Sequence, residues 1–149
     1  MIVGRFCLIC AMCLLLQTGP GVAAAADSGV IEGSLSYPSE FIPDDMTICA
    51  ENLATKKIYC TNKHINARKY QYKVGYKLTL PPGDYHVYSQ LPDPAKHGAD
   101  MAKDYRAYYS EFVKCGMSVD CKSHAPIIVK VKSGETVSGI DPQDWYKII

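Results

Sequence analysis

Cysteine and histidine are the side chains here best able to act as nucleophile, metal ligand or general base. The chain holds seven of the first and four of the second. Cys7, Cys10 and Cys13 fall in an apolar run near the start; the others are Cys49, Cys60, Cys115 and Cys121. Four thiols in an oxidising compartment pair without remainder into two disulfides. Of three possible pairings, spacing favours Cys49–Cys60 with Cys115–Cys121. The first would tie neighbouring strands across a turn, and the second would close the loop Cys-Gly-Met-Ser-Val-Asp-Cys. In the chain-entropy picture, loops this short contribute roughly 2–3 kcal/mol each. A four-cysteine zinc site would need knuckles about two to four residues apart, a spacing these residues lack.

Other catalytic patterns are equally thin. His64, His86, His97 and His124 show no His-x-x-x-His pairing. His86 alternates with Tyr85 and Val87, so it faces the surface opposite to theirs; His64, His97 and His124 fall in loops. No serine sits in a Gly-x-Ser-x-Gly elbow. Asp44 and Asp45 follow Pro43, and Asp141 precedes Pro142, so these acids read as turn formers; with Asp144, they do not have the ligand spacing of a calcium loop. No catalytic residue, metal site or cofactor is expected.

Aromatic residues are the remaining candidates. Eleven tyrosines stand against three phenylalanines and one tryptophan, so most rings carry a polar end. Tyr70, Tyr72 and Tyr76 alternate along one strand and are expected in the core. Tyr105, Tyr108, Tyr109, Phe112, Trp145 and Tyr146 lie in loop-like sequence and form the candidate binding set. Such rings supply rigid amphipathic contact area in protein interfaces, and they also stack on sugars. A plainer role is to cap the ends of a thin sandwich.

The elements that hold these residues begin after an export signal. Met1–Arg5 is short and basic, Phe6–Leu16 is apolar, and Ala24-Ala25-Ala26 offers a small-residue cleavage zone before Asp27. The apolar run is about half the length of a membrane-spanning helix, which needs about 20 residues. Cleavage at 1–26 leaves 27–149 as one domain and an exported protein, periplasmic or extracellular. It removes Arg5 and no acid, so 16 basic and 15 acidic residues become an even balance. A neutral domain lacks the electrostatic footprint of a nucleic-acid binder, or a basic patch for anionic lipid.

The domain reads as all-β. Tyr70–Leu80 alternates apolar and polar residues at period two, the mark of a half-buried strand. It ends at Pro81-Pro82-Gly83-Asp84, a turn in which Gly83 is free to take positive φ, and Tyr85–Ser89 resumes the alternation. Further strands are expected at Val30–Tyr37, Met46–Ala50, Ile58–Cys60, Ile127–Val131 and Thr136–Ile140, the last two joined as a hairpin by a tight turn at Ser133-Gly134-Glu135. Short strands with frequent turn signals indicate a β-sandwich of about seven strands. Leu91–Met117 departs from the pattern. Tyr105, Tyr108, Tyr109 and Phe112 are at helical spacing there, which suits either a helical turn or an irregular strand, and Pro92–Phe112 is the expected contact segment.

Gly33, Tyr37-Pro38-Ser39-Glu40 with Ile42-Pro43, Pro82-Gly83-Asp84-Tyr85 and Ser133-Gly134-Glu135-Thr136-Val137 together resemble the carboxypeptidase regulatory-like domains. The Cys115–Cys121 loop and the ending Asp141-Pro142-Gln143-Asp144-Trp145-Tyr146 are similar to small stand-alone exported bacterial proteins of that type. The resemblance covers nearly all of 27–149 and implies a transthyretin-like (prealbumin-like) β-sandwich of the immunoglobulin-like kind. One transthyretin-like family hydrolyses hydroxyisourate with histidines, an arginine and a terminal Tyr-Arg-Gly-Ser. This chain ends Trp145-Tyr146-Lys147-Ile148-Ile149 and lacks that motif. The expected function is a non-enzymatic accessory or binding protein of the cell envelope with a protein partner. A carbohydrate-binding module using Trp145 is the alternative, and a hydrolase using His86 or His97 beside Arg68 or Arg106 is a further one.

Overall fold

The computed structural model describes residues 27–97 and 104–146. The expected signal at 1–26, residues 98–103 of the excursion and 147–149 lie outside the described residues. The described chain forms β1 (Gly29–Ser34), β2 (Thr47–Asn52), β3 (Ile58–Thr61), β4 (Ile65–Asn66), β5 (Val74–Leu80), β6 (Gly83–Gln90), β7 (Ala107–Tyr108), α1 (Glu111–Lys114), β8 (Val129–Val131) and β9 (Thr136–Val137). One sheet runs β4-β5-β1-β9; in the other, β3-β2-β6 is completed by β7 and β8, which share the far edge of β6. This is an all-β sandwich. Its nine described strands exceed the expected seven because β4 and β7 are two-residue pairings too short to leave a periodic signal.

Alternation places the core. Ile31 on β1 and Tyr76, Leu78 and Leu80 on β5 face Ile48, Ala50, Tyr85, Val87, Val129 and Val131 of the other sheet, and all are buried. Each large apolar side chain fully buried this way contributes roughly 1.5–3 kcal/mol, which holds the sheets face to face. Both expected disulfides are present. Cys49 and Cys60 are directly opposed in the β2–β3 ladder, and Cys115–Cys121 closes the loop after α1.

Three expectations need correction. Period two ends at Val74: Gln71–Lys73 is a 3₁₀ turn, with Tyr72 at φ 55° and Lys73 at φ 61°. The turn folds the Tyr70 ring over Gly75, where any Cβ would collide with it, so Tyr70 is buried while Tyr72 swings out and is 64% exposed. Gly83 belongs to β6 and is not among the positive-φ glycines; it is small because a Cβ would meet the Asn52 side-chain nitrogen at 2.6 Å. Ser133-Gly134-Glu135 does not close a hairpin. β8 pairs antiparallel with β6 whereas β9 runs parallel to β1, so the turn carries the chain from one sheet to the other. The segment Tyr105–Phe112 takes both of the forms expected for it: Ala107–Tyr108 is a short strand, and the helical turn α1 begins at Glu111.

Candidate functional site

The end of the sandwich is closed by an extended strap, residues 140–146, whose alternating side chains fasten it to both sheets. On the β1 side, the Tyr76 hydroxyl donates to the Ile140 carbonyl at 2.8 Å, and Ser34 N–H donates to Asp141 Oδ1 at 2.6 Å. Gln143 Nε2 donates to the Ser34 carbonyl at 3.3 Å, and Trp145 Nε1 to the Ser36 carbonyl at 2.8 Å. Gly33 lets the strap approach, since a Cβ there would run into the Ile140 carbonyl. On the other side, Asp144 N–H donates to the Tyr108 carbonyl at 3.3 Å. The buried Asp144 carboxylate accepts the Ser110 hydroxyl at 2.6 Å and meets His124 Nδ1 at 2.9 Å.

Against this strap lies a groove of about 480 Å³, a volume within the range of ligand-binding clefts. One wall is the segment Ser36–Asp44 between β1 and β2, with Tyr37, Glu40 and Phe41 among its lining residues. His64 beside β4 and Asn66 within it, and Tyr72 with Val74 at the start of β5, form another; Met117, Trp145 and Tyr146 complete it. Phe41, Tyr72 and Tyr146 are 77%, 64% and 55% exposed, a grouping of apolar surface of the kind that marks interaction sites. Tyr72 and Met117 both hold left-handed backbone, at φ 55° and φ 56°. Non-glycine residues in that conformation are concentrated at ligand clamps and switch regions.

A second depression of about 410 Å³ adjoins the first, sharing Met117 and Tyr146, and is lined also by Phe112, Val119 and Cys121. The Cys115–Cys121 disulfide therefore secures the loop that supplies a wall to both. His64 is oriented by its Nε2, 2.9 Å from the Met46 carbonyl. A carbonyl only accepts, so Nε2 carries the hydrogen and Nδ1 remains an acceptor on the neutral ring. Burial pushes the Tyr37 hydroxyl above its ordinary pKa, and its ring is neutral at physiological pH.

The six ring residues of the candidate set are not gathered on one face. Tyr146 lines both depressions and Phe112 the second, its ring stacked on His124 at 4.4 Å between centroids. Trp145 is 6% exposed; Tyr37 meets it edge-on at 5.2 Å and Tyr105 stacks at 6.2 Å, so it is the floor under the groove. Tyr109 is buried in the core, a correction to its placement as a contact residue. Tyr108 lies on the outer surface of the β6 sheet, near His86 and Tyr88, beside Arg106, which covers the Tyr88 ring at 4.4 Å. Phe41, Tyr72 and Met117 were not singled out for contact by the sequence reading. The one signal for the first was its segment's odd run, Tyr37-Pro38-Ser39-Glu40-Phe41-Ile42-Pro43; for Tyr72 the strand periodicity pointed the wrong way.

Ser110, His124 and Asp144 are the three residue types of a hydrolytic triad, in the wrong order. In a working triad the imidazole stands between serine and carboxylate. Here the carboxylate stands between them, and both neighbours are hydrogen-bonded to it. Ser110 is fully buried, so this cluster fastens the strap rather than activating a nucleophile. His97 lies 2.8 Å from Asp45, and Arg106 pairs with Glu51 at 3.7 Å. The groove is lined by one histidine, His64, and by no arginine among the described residues. No group of three or more metal-ligating side chains occurs among the described residues, and no described helix is long and apolar enough to cross a membrane.

No family model matches this chain, and no curated protein matches it. Among solved structures, it is similar to part of a leucine-rich repeat protein from Bacteroides thetaiotaomicron, at 10% identity and a TM-score of 0.38. That similarity covers 78% of this chain but only 14% of the other.

Proposed function

We propose that this chain is a non-enzymatic, exported binding protein of the cell envelope that engages a protein partner through the groove beside the strap. The observation that carries this reading is the convergence of Phe41, Tyr72 and Tyr146, all largely exposed, on one concave surface. A folded chain gains nothing in stability by holding rings in water, whereas a partner that covers them removes roughly 25 cal/mol per Å² of apolar area from solvent. The two disulfides support an oxidising destination, in keeping with the signal expected at 1–26. The resemblance to carboxypeptidase regulatory-like domains supports a scaffold role, since such sandwiches host many functions and the site must be argued by itself. Trp145 offers little to a stacked sugar, because its faces and edge are already occupied by Tyr37, Tyr105 and Ser36.

The test is comparative capture from an envelope extract with the oxidised chain and its Phe41→Ala/Tyr72→Ala/Tyr146→Ala variant. All three rings are exposed, so the variant should melt within about 6 °C of the parent, as surface substitutions cost about 0.5 kcal/mol or less each. A protein retained by the parent and lost by the variant is the expected result. Identical retention by both would sink the reading, and parent-only retention of polysaccharide would replace it with the carbohydrate alternative.

A further inference from the structure

We infer that the groove receives a lysine or arginine side chain carried by an extended segment of the partner. This rests on the groove being the binding surface and adds the chemistry of its occupant. Glu40 and Asp44 line the groove, and among the described residues no lysine or arginine does. Both acids are exposed, and neither forms an ion pair among the described residues, although Glu32, Glu51 and Asp93 elsewhere on the surface do. The rings show the same vacancy of charge. Tyr59, Tyr70 and Tyr88 each carry a cation of this chain over the face, from Lys57, Lys69 and Arg106. Among the described residues, none does so over Tyr37, Phe41, Tyr72 or Tyr146.

Aromatic faces beside unpaired carboxylates attract a cation twice, through the ring quadrupole and through direct charge. A guanidinium or ammonium on an apolar stem suits that mixture, since the stem lies along the rings while the head reaches Glu40 and Asp44. The adjoining depression beyond Met117 and Tyr146 is lined by Phe112 and Val119 and no charged residue. It would take an apolar residue a few positions along the same segment. Two neighbouring subsites of different chemistry fit an extended peptide better than a free small cation.

The experiment uses the full oxidised chain and five acetylated, amidated peptides of sequence Leu-Gly-Xaa-Gly-Leu, with Xaa arginine, lysine, citrulline, norleucine or glutamate. Binding is followed by NMR titration, read at Tyr72, Tyr146 and the Trp145 indole N–H. The arginine and lysine peptides should bind at least about 5-fold more tightly than the citrulline and norleucine ones. That preference should shrink in 0.5 M salt, where the screening length falls below about 5 Å. The Glu40→Gln/Asp44→Asn variant should lose the preference while keeping the neutral peptides' affinity. Citrulline binding within about 2-fold of arginine, or a double variant that still prefers arginine, overturns the inference and leaves the groove as a site for neutral segments. If no peptide moves a groove resonance, both the inference and the groove reading fall.

Discussion

Replacing Trp145 by alanine tests whether the strap is structural. The indole is 6% exposed, packs against Tyr37 and Tyr105, and donates from Nε1 to the Ser36 carbonyl. Truncating a buried tryptophan costs about 3–5 kcal/mol, and the Ser36 carbonyl would lose its partner as well. For a domain of this size the melting temperature falls by about 3–5 °C per kcal/mol, so Trp145→Ala should melt roughly 10–20 °C below the parent. Trp145→Phe keeps a ring but loses the donor and should lie between them, whereas Tyr146→Ala, at an exposed neighbour, should stay within about 2 °C. Thermal unfolding of the oxidised protein by circular dichroism reads all three. Because Trp145 is the only tryptophan, parent fluorescence should shift to the red in the same transition. A Trp145→Ala protein melting within about 3 °C of the parent would refute the strap as a structural element. So would an equal loss from Tyr146→Ala.

The disulfides close loops of different length, with sequence separations of 11 and 6. Chain entropy then gives about 2.8 kcal/mol for Cys49–Cys60 and about 2.2 kcal/mol for Cys115–Cys121; urea unfolding of the two double-alanine variants should rank them in that order. Glu32 is held down to about 2 from 4.5, chiefly by the Lys69 ammonium 2.7 Å away, against the opposing effect of burial and with help from Ser138 and Lys77. Its folded value is the depressed one, so its contribution is complete above about pH 4.5 and fades as the pH falls toward 2. Both lysines are about half exposed, so the contribution after screening is about 1 kcal/mol, and Glu32→Gln should flatten that stretch of the stability profile without altering the slope at pH 7. Gly33→Ala forces a methyl into the Ile140 carbonyl and should destabilise by more than about 2 kcal/mol, measurable as an earlier urea midpoint. An Asp144→Asn variant weakens the link to His124 and Ser110. It should raise hydrogen exchange at the strap amides before those of β2 and β6, and uniform acceleration everywhere would contradict a local fastening role.

Much of the architecture was legible because its signals are local. Strand alternation in 74–80 and 85–89 depends only on which side of a pleat each residue faces. The two disulfides follow from short spacings, since chain closure over few residues brings cysteines together whatever the rest of the fold does. Failures arose where partners are distant. Nothing near Tyr72 announces that Gly75 makes room for the Tyr70 ring and so turns Tyr72 into water. Nothing near Ser133–Glu135 shows that its flanking strands seek different sheets. The candidate set of rings was chosen by type and position, and folding divided it between core, outer surface, floor and rim.

The sequence by itself determined the strand pattern, the pairing of four cysteines and the excess of hydroxyl-bearing rings, since each is written in spacing or composition. Only the tertiary structure decided which rings meet water together. The groove joins residues from four separated stretches, around 36–44, 64–74, 117 and 145–146. Their meeting depends on a strap held by hydrogen bonds to residues about a hundred positions away. Such contacts form only once both sheets have packed, and no local pattern encodes them.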